Sequence, residues 1–182
     1  MSLKRITIHW TGGGNQASAY ERTRYHFLCE GDGTVVEGDK PPEANLAPLG
    51  PDYVRHAGQF NSDNIGVGIC GMMGAREKPF YEGLAPITAK GINAAVGLSA
   101  DLCETYKIKV TRRTVFLHSE VRPRWGRGKY KWDVNFWPGM KKPGNPVEMG
   151  DRFRLMVKAE LESRQEPVPL WVRWLQHFGM AA

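Results

Sequence analysis

Arg5-Ile6-Thr7-Ile8-His9-Trp10-Thr11-Gly12-Gly13-Gly14 is an alternating, β-branched run that ends on an imidazole and breaks into glycine. The alternation reads as a strand over residues 4–10, and residues 12–15 read as a loop. A second run of the same build, Thr114-Val115-Phe116-Leu117-His118-Ser119-Glu120-Val121-Arg122-Pro123, closes on His118 before a proline-bearing loop. Strand ends on a rigid sheet hold side chains firmly, which suits a metal ligand or a catalytic group. Two histidines so far apart in sequence meet only if the fold sets their strands side by side.

Outward from these runs the pattern alternates between strand and helix. Residues 16–24 carry helix formers and predict a short helix. Residues 25–30 and 34–37 flank Gly31-Asp32-Gly33 and predict a β-hairpin, because Asp-Gly supplies a turn of positive φ. Residues 41–51 form a Pro-rich loop. Ile65-Gly66-Val67-Gly68-Ile69-Cys70-Gly71 predicts a buried central strand whose glycines mark close backbone approach or a bend. Apolar residues at Ile92, Ala95, Val96, Leu102 and Cys103 follow helical spacing, so residues 88–106 predict an amphipathic helix over the sheet. Residues 115–117 add a strand, residues 122–144 a long cationic loop, and residues 151–164 a helix. Beyond Pro167 and Pro169, Trp171, Trp174, Leu175 and Phe178 predict a terminal helix that docks on its own domain or on a dimer mate. The expected fold is α/β (α+β), with a central mixed sheet flanked by helices. One domain spans residues 1–148, and a helical extension packed on it spans residues 149–182.

The 182 residues suffice for one real core, and 41% hydrophobic with 24% charged residues fits a soluble globular chain. No stretch is apolar and long enough for a bilayer span. Met1-Ser2-Leu3-Lys4-Arg5-Ile6 has no apolar leader core, which predicts cytoplasmic synthesis and export by another route. Cys29, Cys70 and Cys103 are widely spaced and read as buried free thiols. The net charge of +6 is concentrated between Lys107 and Lys142, where eleven lysines and arginines face only Glu120 and Asp133. Such a patch fits a polyanionic partner, whether nucleic acid or an anionic envelope polymer, or a solvated basic loop.

A catalytic zinc needs three protein ligands and one open position. His9 and His118 supply two candidates. Asp133, in Lys129-Tyr130-Lys131-Trp132-Asp133, is the one carboxylate of its basic loop and is stabilised there as the anion. His26 reads as structural, since it neighbours Tyr25 in an alternating strand. His56 either lines a groove or holds a loop. His177 has no evident partner. Trp125, Trp132 and Trp137 pack their loop down or stack on a ligand.

Ile8-His9-Trp10-Thr11-Gly12, Tyr25-His26-Phe27, Gly31-Asp32-Gly33-Thr34-Val35 and His56-Ala57-Gly58 come in that order. Asn64-Ile65-Gly66-Val67, His118-Ser119-Glu120-Val121-Arg122-Pro123 and Lys131-Trp132-Asp133 follow. In this order the motifs resemble those of zinc-dependent N-acetylmuramoyl-L-alanine amidases, above all bacteriophage amidase endolysins and their peptidoglycan-recognition relatives, over roughly residues 4–140. The resemblance implies zinc ligands at His9, His118 and Asp133. It also implies a catalytic tyrosine at Tyr25 and a catalytic lysine at Lys131. His56 and Asn64 are carried as candidate substrate-binding residues. The implied activity is zinc-assisted cleavage of the bond between N-acetylmuramic acid and L-alanine in bacterial peptidoglycan, with no nucleic acid partner and no membrane insertion. The expected molecule is a monomer, with the C-terminal helix as a possible dimer surface. It would be a phage or prophage lysin that reaches the wall after release from the cell. Two departures stand out. Gly68 occupies the position where some branches carry a glutamate base, so a wall-binding module that does not cut is the alternative. The loop from His118 to Asp133 is lengthened by Trp125-Gly126-Arg127-Gly128; if Asp133 fails, Glu120 is the nearest substitute, though an acidic residue at this spacing reads more like a supporting partner of the histidine than a ligand. A basic nucleic-acid binder is the remaining rival.

Overall fold

The computed structural model describes residues 2–165; the expected Trp171–Phe178 helix and His177 lie outside the described residues. Five strands form one mixed sheet: β1 (Arg5–Trp10), β2 (Phe27–Cys29), β3 (Val35–Glu37), β4 (Asn64–Ile69) and β5 (Val115–Leu117). Their order is β3-β2-β4-β1-β5, parallel throughout except for the antiparallel β2–β3 hairpin. Residues 64–69 therefore lie at the sheet centre, as expected for a strand buried along its whole length.

Alternation along the strands divides the two faces. Ile6, Ile8 and Trp10 of β1 join Ile65, Val67 and Ile69 of β4 in the main core. That core is closed by α2 (Ala89–Thr105), through Ile92, Ala95, Val96, Leu102 and Cys103, and by α4 (Pro146–Gln165), through Met149, Phe153 and Val157. The Thr88 hydroxyl caps α2 by accepting the Gly91 N–H at 3.0 Å. The opposite face receives Thr7 and His9 from β1. From β4 it receives Gly66 and Gly68, which have no side chain to offer. This bare strip is where the site is built.

The helices differ from expectation at their ends. The first shrinks to α1 (Ala19–Arg22), because Ser18 makes a reciprocal cap with Glu21 and fixes the start there. Residues 122–125, expected as the start of a loop, belong to α3 (Val121–Trp125), entered through a 3-10 turn at His118–Glu120. Pro123 falls in the first turn, where a missing N–H costs little, and Gly126 at φ 65° ends the helix. α4 starts at Pro146 rather than 151, since the Asn145 Oδ1 accepts the Val147 and Glu148 N–H groups. The boundary expected after residue 148 thus falls inside α4. The three cysteines are buried free thiols. Among the described residues no helix is long and apolar enough to cross a membrane.

Candidate metal centre

The register of the parallel strands joins the two histidines. Ile8 pairs with Leu117, so His9 and His118 are each one residue further along adjacent strands. Their ring centroids are 4.5 Å apart. Asp133 reaches them across the lengthened loop: its Oδ2 lies 3.1 Å from the His118 Nδ1 and 3.4 Å from the His9 Nδ1. The three donors all lie within 4.8 Å of one another and can hold a metal ion. Ligand atoms around a tetrahedral zinc with bonds of about 2.0–2.1 Å are separated by about 3.3 Å, which the two distances to Asp133 match.

The Asp133 loop is locked on both sides. Trp132 packs edge-on to Trp10 at 4.5 Å. The Ser119 hydroxyl donates to the Asn135 Oδ1 at 2.7 Å, and the Trp137 indole N–H donates to the Val134 carbonyl at 2.9 Å. Between them Val134 sits at φ 65°, a strained conformation for a β-branched residue that persists only when its surroundings dictate it. Trp137 is buried, Trp132 packs on Trp10 while also lining the cleft, and Trp125 meets Phe60 tilted and Phe116 edge-on.

Burial, reinforced by the neighbouring His118, pushes the His9 pKa down to about 4, so its ring is neutral at physiological pH. Burial alone would raise the Asp133 carboxyl, but its surroundings, led by the His118 hydrogen bond, outweigh burial and hold it below the usual carboxylate range. Two imidazole nitrogens and one carboxylate form a donor set suited to a borderline divalent cation.

Tyr25 stands beside the centre, its ring 5.2 Å from that of His9. A Cβ at Gly68 would meet the Tyr25 ring at 3.0 Å, so the glycine is what admits the tyrosine. Burial, followed by the Asp133 and Glu21 charges, raises the phenol pKa, so the hydroxyl keeps its proton. Lys131 is exposed at the rim. With His9, His118 and Asp133 it lines a cleft of about 460 Å³ that also carries Arg24, Arg55 and Tyr130. A second lobe of about 520 Å³ continues past Arg24, Arg55, Lys129 and Lys131 to Tyr53 and Gln59, with no carboxylate among its described lining residues.

The structure places the remaining candidates as follows. Asn64 is fully buried, and its amide is taken up by the Thr7 hydroxyl and the Phe60 carbonyl rather than offered to the cleft. Glu120 is no substitute ligand: its carboxylate is turned away to Arg154, Arg124 and the Leu117 N–H. His56 shows only an edge to the cleft and sits beneath His9, its Nδ1 3.1 Å from the His9 Nε2. No single motif points to that contact; the nearest sequence signal is Gly66, which leaves room for the ring.

The fold and the donor set define an α/β domain carrying a His-His-Asp cluster at the carboxyl ends of its parallel strands. The sequence model of the N-acetylmuramoyl-L-alanine amidase family matches residues 1–139, and the chain belongs to that family. Its structure is similar to a mutant of PlyL, at 17% identity and a TM-score of 0.50 over 90% of this chain and 87% of that one. N-acetylmuramoyl-L-alanine amidase LysC from Clostridium intestinale gives 18% identity and a TM-score of 0.47 over 84% and 85% of the two chains. AmiD from E. coli, solved with the substrate anhydro-N-acetylmuramic acid-L-Ala-D-gamma-Glu-L-Lys, gives 20% identity and a TM-score of 0.49 over 67% of this chain and 51% of that one. A search of curated protein sequences gives no match.

Proposed function

We propose that the protein is a zinc-dependent N-acetylmuramoyl-L-alanine amidase that cuts peptidoglycan between the lactyl group of muramic acid and L-alanine. The observation that carries this reading is the His9, His118 and Asp133 donor set facing an open cleft in a chain of the amidase family. A zinc ion held by these residues would supply Lewis-acid polarisation and a water acidified to a pKa of about 7. The chain's own groups supply the rest. The Tyr25 hydroxyl, kept protonated, donates to the amide oxygen as negative charge develops there. The Lys131 ammonium adds positive charge from the rim. Asp133 stays anionic and positions its loop against both histidines. The cationic second lobe suits the carboxylates of an acidic stem peptide. The role we assign is that of a phage or prophage endolysin acting on the cell wall, the branch whose Tyr25 and Lys131 pairing this chain resembles.

Mass spectrometry of digested peptidoglycan tests the proposal. Zinc-loaded protein should release stem peptides with a free L-alanine amino group. A chelator should abolish release and added zinc restore it. Wall binding with intact muramoyl–alanine linkages after long incubation would replace this reading with that of a non-cutting module, the alternative that Gly68 raises.

A further inference from the structure

We propose that His56 is a positioning residue that fixes which nitrogen of His9 is free to ligate. This rests on the metal reading of the site and adds to it a residue that lies beneath the ligands.

The argument begins at a main-chain carbonyl. The His56 Nε2 lies 3.2 Å from the Asn64 oxygen, and a carbonyl oxygen only accepts, so that nitrogen carries the hydrogen. A neutral imidazole with its N–H on Nε2 has its lone pair on Nδ1. The His56 Nδ1 lies 3.1 Å from the His9 Nε2, which must therefore be the donor. The remaining His9 nitrogen, Nδ1, is then left with a bare lone pair, and it is this atom that faces the Asp133 carboxylate at 3.4 Å. Two acceptors facing each other at that distance repel unless a cation lies between them. The carbonyl of a β4 residue thus sets, through two rings, the tautomer of a ligand on β1.

The surroundings of His56 are built to hold it. Its own N–H and that of Ala57 both donate to the Asn61 Oδ1, at 3.1 and 2.8 Å. The buried Asn45 side chain ties the preceding Val54 to Asn61. A Cβ at Gly66 would lie 2.5 Å from the His56 Cγ, so the ring occupies space that only glycine leaves open. Partners of this kind orient metal-bound histidines and typically contribute about 10–100-fold to metal affinity.

The test measures zinc affinity in the full chain without substrate, by competition with a chromophoric chelator, together with the visible spectrum of the cobalt-substituted protein. Circular dichroism and thermal unfolding of the metal-free forms report folding separately. His56→Phe, which fills the space without accepting a hydrogen bond, should weaken zinc about 10–100-fold and alter the cobalt bands. His56→Gln can accept from His9 and donate to Asn64, and should recover most of that loss. Gly66→Ala, which keeps every polar group but displaces the ring, should also weaken zinc. A folded His56→Phe that binds zinc as tightly as wild type would overturn the proposal, and so would a His56→Gln no better than His56→Phe. A raised KM with unchanged zinc affinity would make His56 a substrate contact instead. A wild-type protein that binds no zinc would remove the metal reading itself, and this proposal with it.

Discussion

Asp133 and Tyr25 show how much chemistry a few buried groups carry here. Asp133 is held as an anion chiefly by His118, while Tyr25 is a neutral phenol because burial and that same carboxylate disfavour its ionised form. Their roles separate in a simple comparison. Asp133→Ala should lose zinc and activity together, measured by metal content and peptide release. Tyr25→Phe should keep zinc yet lose about 10²–10³-fold in turnover, the usual effect of removing one oxyanion donor. Full turnover in a zinc-loaded Tyr25→Phe would exclude the tyrosine from the reaction. Asp133 was legible because a lone carboxylate in a cationic loop is conspicuous. His56 was not, because its partners on β1 and β4 come together only in the folded chain.

At the scale of the element, β4 explains why the site exists on this face. Its apolar residues go to the core, and its glycines leave a strip for the His56 and Tyr25 rings. A side chain at position 68 competes with Tyr25 for the same space, so tyrosine and a glutamate at 68 exclude each other unless the ring moves. Gly68→Ala should accordingly lower turnover, by up to about 10²-fold if the hydroxyl moves by about 1 Å, with zinc content unchanged. Steady-state kinetics on soluble wall fragments would check it; unchanged turnover would show that the ring yields without consequence. Periodicity located β4 and α2 well, since a full strand and a 17-residue helix repeat their pattern often enough to read. It missed α3, whose five residues are too few to show a period and which is set by a turn and a left-handed glycine.

The whole molecule ties α4 to the site through buried charge. Arg154 donates to both oxygens of the fully buried Glu120, at 2.8 and 3.0 Å, and to the Val115 carbonyl. Glu120 in turn holds the Leu117 N–H at the entrance to the His118 turn. Arg154→Met would leave a buried carboxylate with Arg124 as its one remaining cation beside the Leu117 N–H and should destabilise the protein by about 3–5 kcal/mol in denaturant unfolding. A loss below about 1 kcal/mol would show that Arg124 alone suffices.

Acid should also weaken the fold through His26. Burial lowers its pKa from 6.5 to about 4, with the Nδ1 accepting the Gly66 N–H. The native state therefore binds this proton less readily than the unfolded chain. Stability present above pH 6.5 is lost as the pH falls towards 4, by about 3 kcal/mol from this residue. Unfolding of metal-free protein across that range should show the slope, and His26→Gln should reduce it without abolishing it, since His9 and His56 are also buried with lowered pKa.

The order of the strands and of the longer helices, the single core and the candidate donor residues follow from the sequence alone, because local periodicity and residue chemistry need no partner to be read. Only the tertiary structure decides which donors meet. Parallel pairing of β1 with β5 brings His9 beside His118, and a strained, locked loop delivers Asp133 in place of Glu120. The stack of Asn64, His56 and His9 gives the first histidine its bare nitrogen. These contacts join residues from 8 to more than 100 positions apart, and a hydrogen bond between separate elements has no signature in a sequence until the backbone that joins them has been folded.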